Sequence, residues 1–363
     1  MGVPLSCTVS FFASKKSYNI APHIGPDWFT DIKPFRIHTI KEKFVTSHFG
    51  TLRMTDVSVI ILTHNEEKHI ARCLTSLQLF TRDIFIVDSF STDRTVDIAR
   101  SMGAVVVQNA WVNYSTQFNF GIANTPFQTT WLMRMDADEY VLPELAAEIS
   151  ARVSTLPAGV GGVYVKRRVI FLDRWMRHGS YYPIWLLRIW RRGDGFCEQV
   201  WHDEHIKLTQ GESVHFNHDL VDHNLNNLTW WTQKHNHYAI LEAINLLNYR
   251  YHFDNAETVQ PRFWGTQDQR MRFLKERYAS LPLFTRPVLY FIYRYFVRLG
   301  FLDGRAGLAW SVLQALWYRF LVDAKLMEVF LRAGRDKEAI IDYFQKEYGK
   351  DLRPKQPRQI GQS

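Results

Sequence analysis

The chain has 363 residues, 46% hydrophobic and 15% aromatic, enough for a sizeable core in one large domain or two modest ones. Its formal charge of +8 and pI near 9.3 point to an anionic partner, a nucleotide or phospholipid surface; nucleic acid is excluded for want of a basic-helix, zinc or aromatic RNA-binding motif. Three cysteines without paired spacing, Cys7, Cys73 and Cys197, fit a reduced cytosolic compartment, and neither a secretory leader nor a run of about 18 uncharged apolar residues is expected.

Residues 1–54 mix Pro, Lys and aromatics without a period and read as an N-terminal extension. Val57-Ser58-Val59-Ile60-Ile61-Leu62 is the first predicted strand, breaking into Thr63-His64-Asn65-Glu66-Glu67. Glu67 to Leu79 is helical, with Ile70, Leu74 and Leu77 on one face. Ile84-Phe85-Ile86-Val87 is the second strand and ends in Asp88-Ser89-Phe90-Ser91-Thr92-Asp93, where a helix opens that closes before Gly103. A short strand over 104–107 and a loop and helix over 111–123 follow. Trp131-Leu132-Met133-Arg134-Met135 runs into an acidic tip, Asp136-Ala137-Asp138-Glu139. Pro143 starts the next helix, at a turn where its missing N–H costs nothing.

Such apolar runs are parallel strands covered on both faces, and the alternation predicts a doubly wound, mostly parallel α/β domain over 55–225. Shorter, more aromatic strands at 162–165, 186–190 and 206–208 are expected to complete its sheet. Helices dominate 226–349, and the polar, Pro-rich residues 350–363 read as a disordered tail.

In an open parallel sheet, ligands sit beyond the carboxyl ends of the strands. All three long strands carry acids or amides there. Two aspartates one residue apart at a strand end can turn toward one point, as Mg²⁺ or Mn²⁺ requires of oxygen ligands while keeping positions for substrate phosphates. Such a cation offsets charge on a departing diphosphate. Alone, Asp-Ala-Asp reads as a solvated turn before a helix, its acids favoured by the helix dipole; the two earlier polar strand ends favour a site.

Together the three motifs resemble the signature of family 2 glycosyltransferases, which have the GT-A fold, over residues 56–220. Within that family the likeness is to bacterial lipopolysaccharide-core β-glucosyltransferases, through the acidic tip, a downstream His–acid segment and a Gly-Phe-Leu-Asp-Gly element at Gly300–Gly304. The resemblance implies inverting, metal-dependent transfer from a nucleotide-sugar, a UDP-sugar first, to a hydroxyl of a lipopolysaccharide-core, lipid-linked or other cell-surface glycan. It implies nucleotide-sugar contacts from Thr63, Asn65 and Glu66, from Asp88 at the base or ribose, from Asp93, and from Gln117 and Asn119. Asp136 and Asp138 are the implied metal and diphosphate residues, Asp138 the direct ligand, with Glu139 orienting the sugar or metal shell.

A single in-line displacement needs one base for the acceptor hydroxyl and electrophilic help for the leaving phosphate. The sequence agrees: it holds no Gly-x-Ser-x-Gly elbow and no Walker loop. Asp203 or Glu204 is expected as the base, with His202 as orienter or phosphate contact, although Asp203 intervenes where family members read His-Glu directly. The rival is a polar loop paired with Arg191, Arg192 or Lys207. Two other functional readings stay open: transfer to polyprenyl phosphate, which needs no strong carboxylate base, and a non-catalytic nucleotide-sugar-binding subunit.

His218 and His223, with Asp219 and Asp222, either approach the acceptor or diphosphate or are hydrogen-bonded loop residues. Arg188, Arg191 and Arg192 either grip phosphate bidentately or line a solvated strand edge. From Phe284 to Phe330, arginines alternate with Trp and Tyr in runs too short to span a bilayer. That pattern suits a core-packed helical pair or helices lying in the headgroup layer. Peripheral attachment to the cytoplasmic face of the inner membrane is the expectation.

Overall fold

The computed structural model describes residues 54–201, 204–253, 264 and 277–353. Strands β1 (Val57–Thr63), β2 (Ile84–Asp88), β3 (Val105–Gln108) and β4 (Trp131–Asp136) form a parallel block in the order 3-2-1-4. Alternate residues of β1 enter opposite cores, Val57, Val59 and Ile61 one, Ile60 the other. That is why the strand reads as an unbroken apolar run. Helices α1 (Ile70–Leu77), α2 (Thr95–Ser101) and α4 (Pro143–Arg152) contribute to the first core, and α3 (Tyr114–Asn124) covers the second. Gly121 lets α3 lie this close, since a Cβ there would sit 2.8 Å from Ile60 Cγ2 and 3.2 Å from Val87 Cγ2.

Beyond β4 the sheet is mixed rather than mostly parallel. The strands concerned are β5 (Glu139–Val141), β6 (Val160–Phe171), β8 (Ile184–Arg191) and β11 (Glu212–Asp222). β8 runs antiparallel to both β4 and β6, β6 runs parallel to β11, and β5 closes the edge antiparallel to β11. The order is therefore 3-2-1-4-8-6-11-5, a GT-A-like α/β sheet. β7 (Arg174–Trp175) pairs with β6, while β9 (Gly195–Cys197) and β10 (Ile206–Leu208) make a separate ribbon.

Besides the short β7 and β9, two strands of the main sheet order were not expected. β11 is polar and broken by a register shift between His215 and Asp219, so it reads as loop. At the shift, the buried Glu148 carboxylate accepts the N–H groups of Asn217 (2.9 Å) and His218 (3.1 Å) and a bond from His218 Nδ1 (2.8 Å). The Glu148 carboxylate replaces the ladder acceptors that these N–H groups lose at the bulge. β5 exists because β11 pairs with it: Leu220 faces Val141, Val221 faces Tyr140, and Asp222 faces Glu139. That last register brings Asp222 to the acidic tip.

The helical region holds α5 (Leu228–Tyr251), α6 (Thr285–Ile292), which runs into a π-helical turn at Tyr293–Val297, α7 (Gly304–Ser311), α8 (Tyr318–Ala333) and α9 (Lys337–Tyr348). Ile244 and Leu247 of α5, Val322 and Leu326 of α8, and Ile341 and Phe344 of α9 share one core. Leu352 joins it, so packing continues past the expected boundary at 350. The rest of the expected tail, 354–363, and residues 1–53 lie outside the described residues. Among the described residues, no helix is long and apolar enough to cross a membrane.

Candidate active site

The ends of β1 and β2 are knitted into one unit. Asp88 is fully buried, and its carboxylate accepts from the Thr63 hydroxyl (2.8 Å), the Ser91 N–H (2.8 Å) and Gln108 Nε2 (3.2 Å). Burial alone would raise its pKa, but these donors outweigh it and hold the carboxyl below the usual range. Asn65 crosses from β1 to the β2 loop: its N–H donates to Ser91 Oγ (2.9 Å) and its Oδ1 accepts from the Thr92 N–H (2.8 Å). Asp93 caps the start of α2 through the Thr95 N–H (2.9 Å) and reaches back to the Glu67 N–H (3.1 Å). Glu66 fixes buried His69, whose Nδ1 lies 2.6 Å from Glu66 Oε2 and whose Nε2 accepts from the Leu225 N–H (2.8 Å). At the tip of this unit Phe90 takes a left-handed φ of 57° with its ring 55% exposed. A bulky residue in that conformation is strained; it lies within the second strand-end motif, which assigned it no role.

Gln117 and Asn119 make scaffold contacts. The buried Gln117 amide bonds Asn109 and Ser89, and the Asn119 amide brackets Cys197, donating to its carbonyl (2.8 Å) and accepting from its N–H (2.9 Å).

β4 ends on Asp136. Its Oδ1 accepts from the Tyr114 hydroxyl (2.7 Å) and lies 3.6 Å from Arg134 Nε; its Oδ2 lies 3.3 Å from Arg188 Nη2. Burial works to raise its pKa, yet Arg134 and Arg188 prevail and hold the carboxyl well below the usual range. Glu139 folds back, its Oε2 accepting the Asp136 N–H (3.0 Å) and its Oε1 pairing with Arg188 (2.5 Å). Burial pushes the Glu139 carboxyl up despite that pair, and Asp136 and Asp222 add to the push. Arg188 is thus not the exposed edge residue that the sequence left open. It is buried at the tip, and its Nε and Nη1 have no hydrogen-bond partner among the described residues, a deficit that a bound oxyanion or water makes good.

Asp138 differs from its neighbours. Its Oδ2 accepts from Asn224 (2.9 Å) and its carbonyl from Arg72 (3.0 Å) and the His223 N–H (3.2 Å). Its Oδ1 has no hydrogen bond among the described residues. Asp222 stands across β5, 3.6 Å from Arg167, and burial together with the charges of Asp138 and Asp136 pushes its carboxyl up to about 6. Lys234 of α5 supports its ammonium over the Trp230 ring (4.6 Å); against burial, Tyr238, Asp138 and Glu66 raise its pKa and keep it charged.

An all-oxygen set of crowded carboxylates, one with an open oxygen, fits a hard divalent cation. Among the described residues no group of three or more His, Cys, Asp and Glu side chains is placed to hold a metal ion. Mg²⁺ in particular uses one or two carboxylates and completes its shell with water and phosphate, so the donors present suffice.

The expected base segment is only partly visible. His202 and Asp203 lie outside the described residues. The Glu204 carbonyl accepts from Arg134 Nη1 (2.8 Å), tying that segment to β4. Arg191 and Arg192 donate to the main-chain carbonyls of Val160 (2.8 Å) and Thr129 (2.9 Å), so they brace strand ends. His223 belongs to the corner and His218 to the β11 bulge. Sequence reading missed Tyr114, Asn224 and Lys234, because each reaches the tip from an element whose packing is not encoded locally.

Residues 58–210 match the family described as Glycosyl transferase family 2. An uncharacterized glycosyltransferase of Rickettsia typhi is 28% identical over 287 residues, 77% of this chain and 89% of that protein. One from Rickettsia prowazekii is 28% identical over 298 residues, again 77% and 89%. Among solved structures, the mannosyltransferase PcManGT from Pyrobaculum calidifontis, in complex with GDP-Man and Mn²⁺, is 14% identical with a TM-score of 0.45 over 76% of this chain and 87% of that one. These matches make the chain a glycosyltransferase, with residues 58–210 as the part similar to family 2.

Proposed function

We propose that this glycosyltransferase uses a nucleotide-sugar, a UDP-sugar by resemblance, and transfers the sugar with inversion to a hydroxyl of a lipid-linked or lipopolysaccharide-core-type glycan at the cytoplasmic face of the inner membrane. One observation carries the reading: Asp138 keeps an open carboxylate oxygen beside Asp136 and Asp222 at the end of β4, among the cations Arg167, Arg188 and Lys234. Asp138 and Asp136 would hold Mg²⁺ or Mn²⁺, with Asp222 beside them. When bound, the ion offsets charge on the leaving nucleoside diphosphate. Arg188 and Lys234 favour the same charge from the protein side. Thr63, Asn65, Glu66, Asp88 and Asp93 shape the nucleotide wall, largely by holding its loop, and Phe90 offers a ring for stacking on the base. Gln117 and Asn119 fix α3 behind that wall.

The acceptor oxygen attacks the anomeric carbon opposite the diphosphate. The bond from that carbon to the phosphate oxygen breaks as the glycosidic bond forms, and the hydroxyl proton passes to Asp203 or Glu204, with His202 as orienter. The tie between Glu204 and Arg134 supports this choice. Asp222 is a second candidate, since its carboxylate stands opposite Glu139 at the acidic tip.

The test is a screen of nucleotide-sugars with Mn²⁺ for nucleoside diphosphate release. Turnover of one donor by wild type that is lost in Asp138→Asn supports the proposal; equal turnover contradicts it. Loss of transfer in Asp203→Asn/Glu204→Gln assigns the base there, whereas loss only in Asp222→Asn moves it to β11. Full transfer in all of these base variants would point to polyprenyl phosphate, whose oxygen is already nucleophilic.

A further inference from the structure

Helix α6 and its π-helical turn are amphipathic in the reverse sense. Arg286 and Arg294 face the protein: Arg286 is buried against Asp323 (Nε to Oδ1 2.8 Å), and Arg294 lies 3.8 Å above the Tyr181 ring and donates to the Tyr290 hydroxyl (2.9 Å). Leu289, Ile292, Tyr293, Phe296 and Val297, at helical stripe spacing, face solvent instead; Leu289 is 55%, Phe296 54% and Val297 65% exposed. The following turn adds exposed Leu299, Phe301 and Leu302. A surface helix in water turns its apolar stripe inward, and a contiguous exposed apolar patch marks a partner.

The surrounding charges say which partner. Between Phe284 and Asp323 the chain has five arginines and two acids, Asp303 and Asp323, the second paired with Arg286 in the interior. Asp303 is buried, its Oδ1 2.6 Å from His178 Nδ1 and its Oδ2 accepting the His178 N–H (2.9 Å). Arg298 and Arg305 are exposed on the segment itself. Exposed Arg177 joins Ser180, Tyr182, Val297, Arg298 and Leu299 around a cavity of about 260 Å³ at the edge of the patch.

We infer that this face seats the protein on an anionic phospholipid bilayer, with the stripe at the acyl boundary, the arginines at the phosphates, and one headgroup in the Arg177–Arg298 cavity. The helix lies in the interfacial plane, since it is too short to span. A second copy of the chain is the poorer occupant, because a two-fold contact sets the same arginines against one another. The inference deepens the glycolipid reading by supplying the surface on which a lipid-borne acceptor is met, and it rests on that reading for its purpose. Tyr182 lines both this cavity and a neighbouring one of about 280 Å³ at Lys166, Arg168 and Asp219, so the lipid edge adjoins β6 and β11 of the catalytic sheet.

The test uses the full chain and needs no turnover. Wild type is sedimented with phosphatidylcholine vesicles containing about 30 mol % phosphatidylglycerol and with phosphatidylcholine alone, at two salt concentrations. It should bind the anionic vesicles, less so at high salt. Phe296→Glu/Val297→Glu should lower partitioning by about tenfold or more, with an unchanged melting temperature because both side chains are more than half exposed. Arg177→Gln/Arg298→Gln should lower anionic binding several-fold and flatten its salt dependence. Equal partitioning of all three proteins overturns the inference. So does a wild-type dimer in light scattering that Phe296→Glu/Val297→Glu converts to monomer without loss of vesicle binding. Vesicle binding without turnover of any nucleotide-sugar removes the donor reading and leaves the docking face standing; turnover without vesicle binding does the opposite.

Discussion

The corner at the end of β4 and the outward face of α6 depart from the ordinary partition of side chains in opposite directions. At the corner, carboxylates and guanidinium groups are inside; on α6, leucine, phenylalanine and valine are outside. Some charged groups elsewhere in the same chain do find partners. Arg286 and Asp323, 2% and 1% exposed, neutralise each other within the helical region, and Glu148 uses its carboxylate on the β11 bulge. Among the described residues these two places leave groups without a partner, an oxygen of Asp138 and two nitrogens of Arg188 in one, an apolar stripe in the other. On the proposals above, the first is read as a place for a cation and diphosphate and the second as a place for a lipid surface.

The largest expected effect tests whether closed and open charge sites differ as claimed. Asp323→Ala strands the Arg286 guanidinium in the interior and should cost about 3–5 kcal/mol in a denaturant titration. Arg286→Met/Asp323→Leu should recover most of that loss. Asp138→Asn, at the open site, should leave stability nearly unchanged. A comparable loss in both single variants would erase the distinction.

A smaller effect sharpens the reading of the β2 loop. Phe90→Ala removes an exposed ring from a strained position, so it should raise the KM for the donor about fivefold, as one base-stacking contact implies, with little change in kcat. A fall in stability instead would make Phe90 a packing residue.

The smallest effect is the shape of stability against pH. Asp88, Asp93 and Glu148 have folded pKa values below their unfolded ones. Their contribution is full above the unfolded value near pH 4 and disappears as pH falls through the folded values. Asp222 and Glu139 have the opposite sign: raised in the folded state, they weaken it at higher pH, and that cost fades as pH drops through their folded values. The melting temperature should therefore peak between about pH 5 and 6, fall steeply in acid and decline gently toward pH 8. Mn²⁺ should flatten the gentle side alone. A gentle side that Mn²⁺ leaves unaltered would detach the cation from the crowded carboxylates.

The parallel block was legible because both-face burial writes itself as apolar runs, and Val57–Leu62, Ile84–Val87 and Trp131–Met135 all became strand. The acidic tip was legible as carboxylates gathered at a strand end. Its completion was not. Asp222 arrives through β11, whose Glu-Ser-Val-His-Phe-Asn-His-Asp stretch has neither alternation nor continuity, since Glu148, some seventy residues earlier, holds its bulge open. Glu139-Tyr140-Val141 is too short to announce itself without that partner. Asp88 and Asp93 were legible as important but not as loop-holders, because only the fold reveals the N–H groups they accept. The stripe on α6 has the spacing of a core-facing helix, and its direction is decided by Arg286 meeting Asp323 and Arg294 meeting Tyr181, contacts invisible from periodicity. The resemblance to lipopolysaccharide-core enzymes added a donor and acceptor class, which nothing in the geometry specifies.

The most direct measurement is calorimetric titration of UDP into wild type and Asp138→Asn, with Mn²⁺ and with chelator. The account predicts UDP binding by wild type that strengthens at least tenfold with Mn²⁺, and no such gain in Asp138→Asn. The same Mn²⁺-dependent gain in both proteins would contradict it.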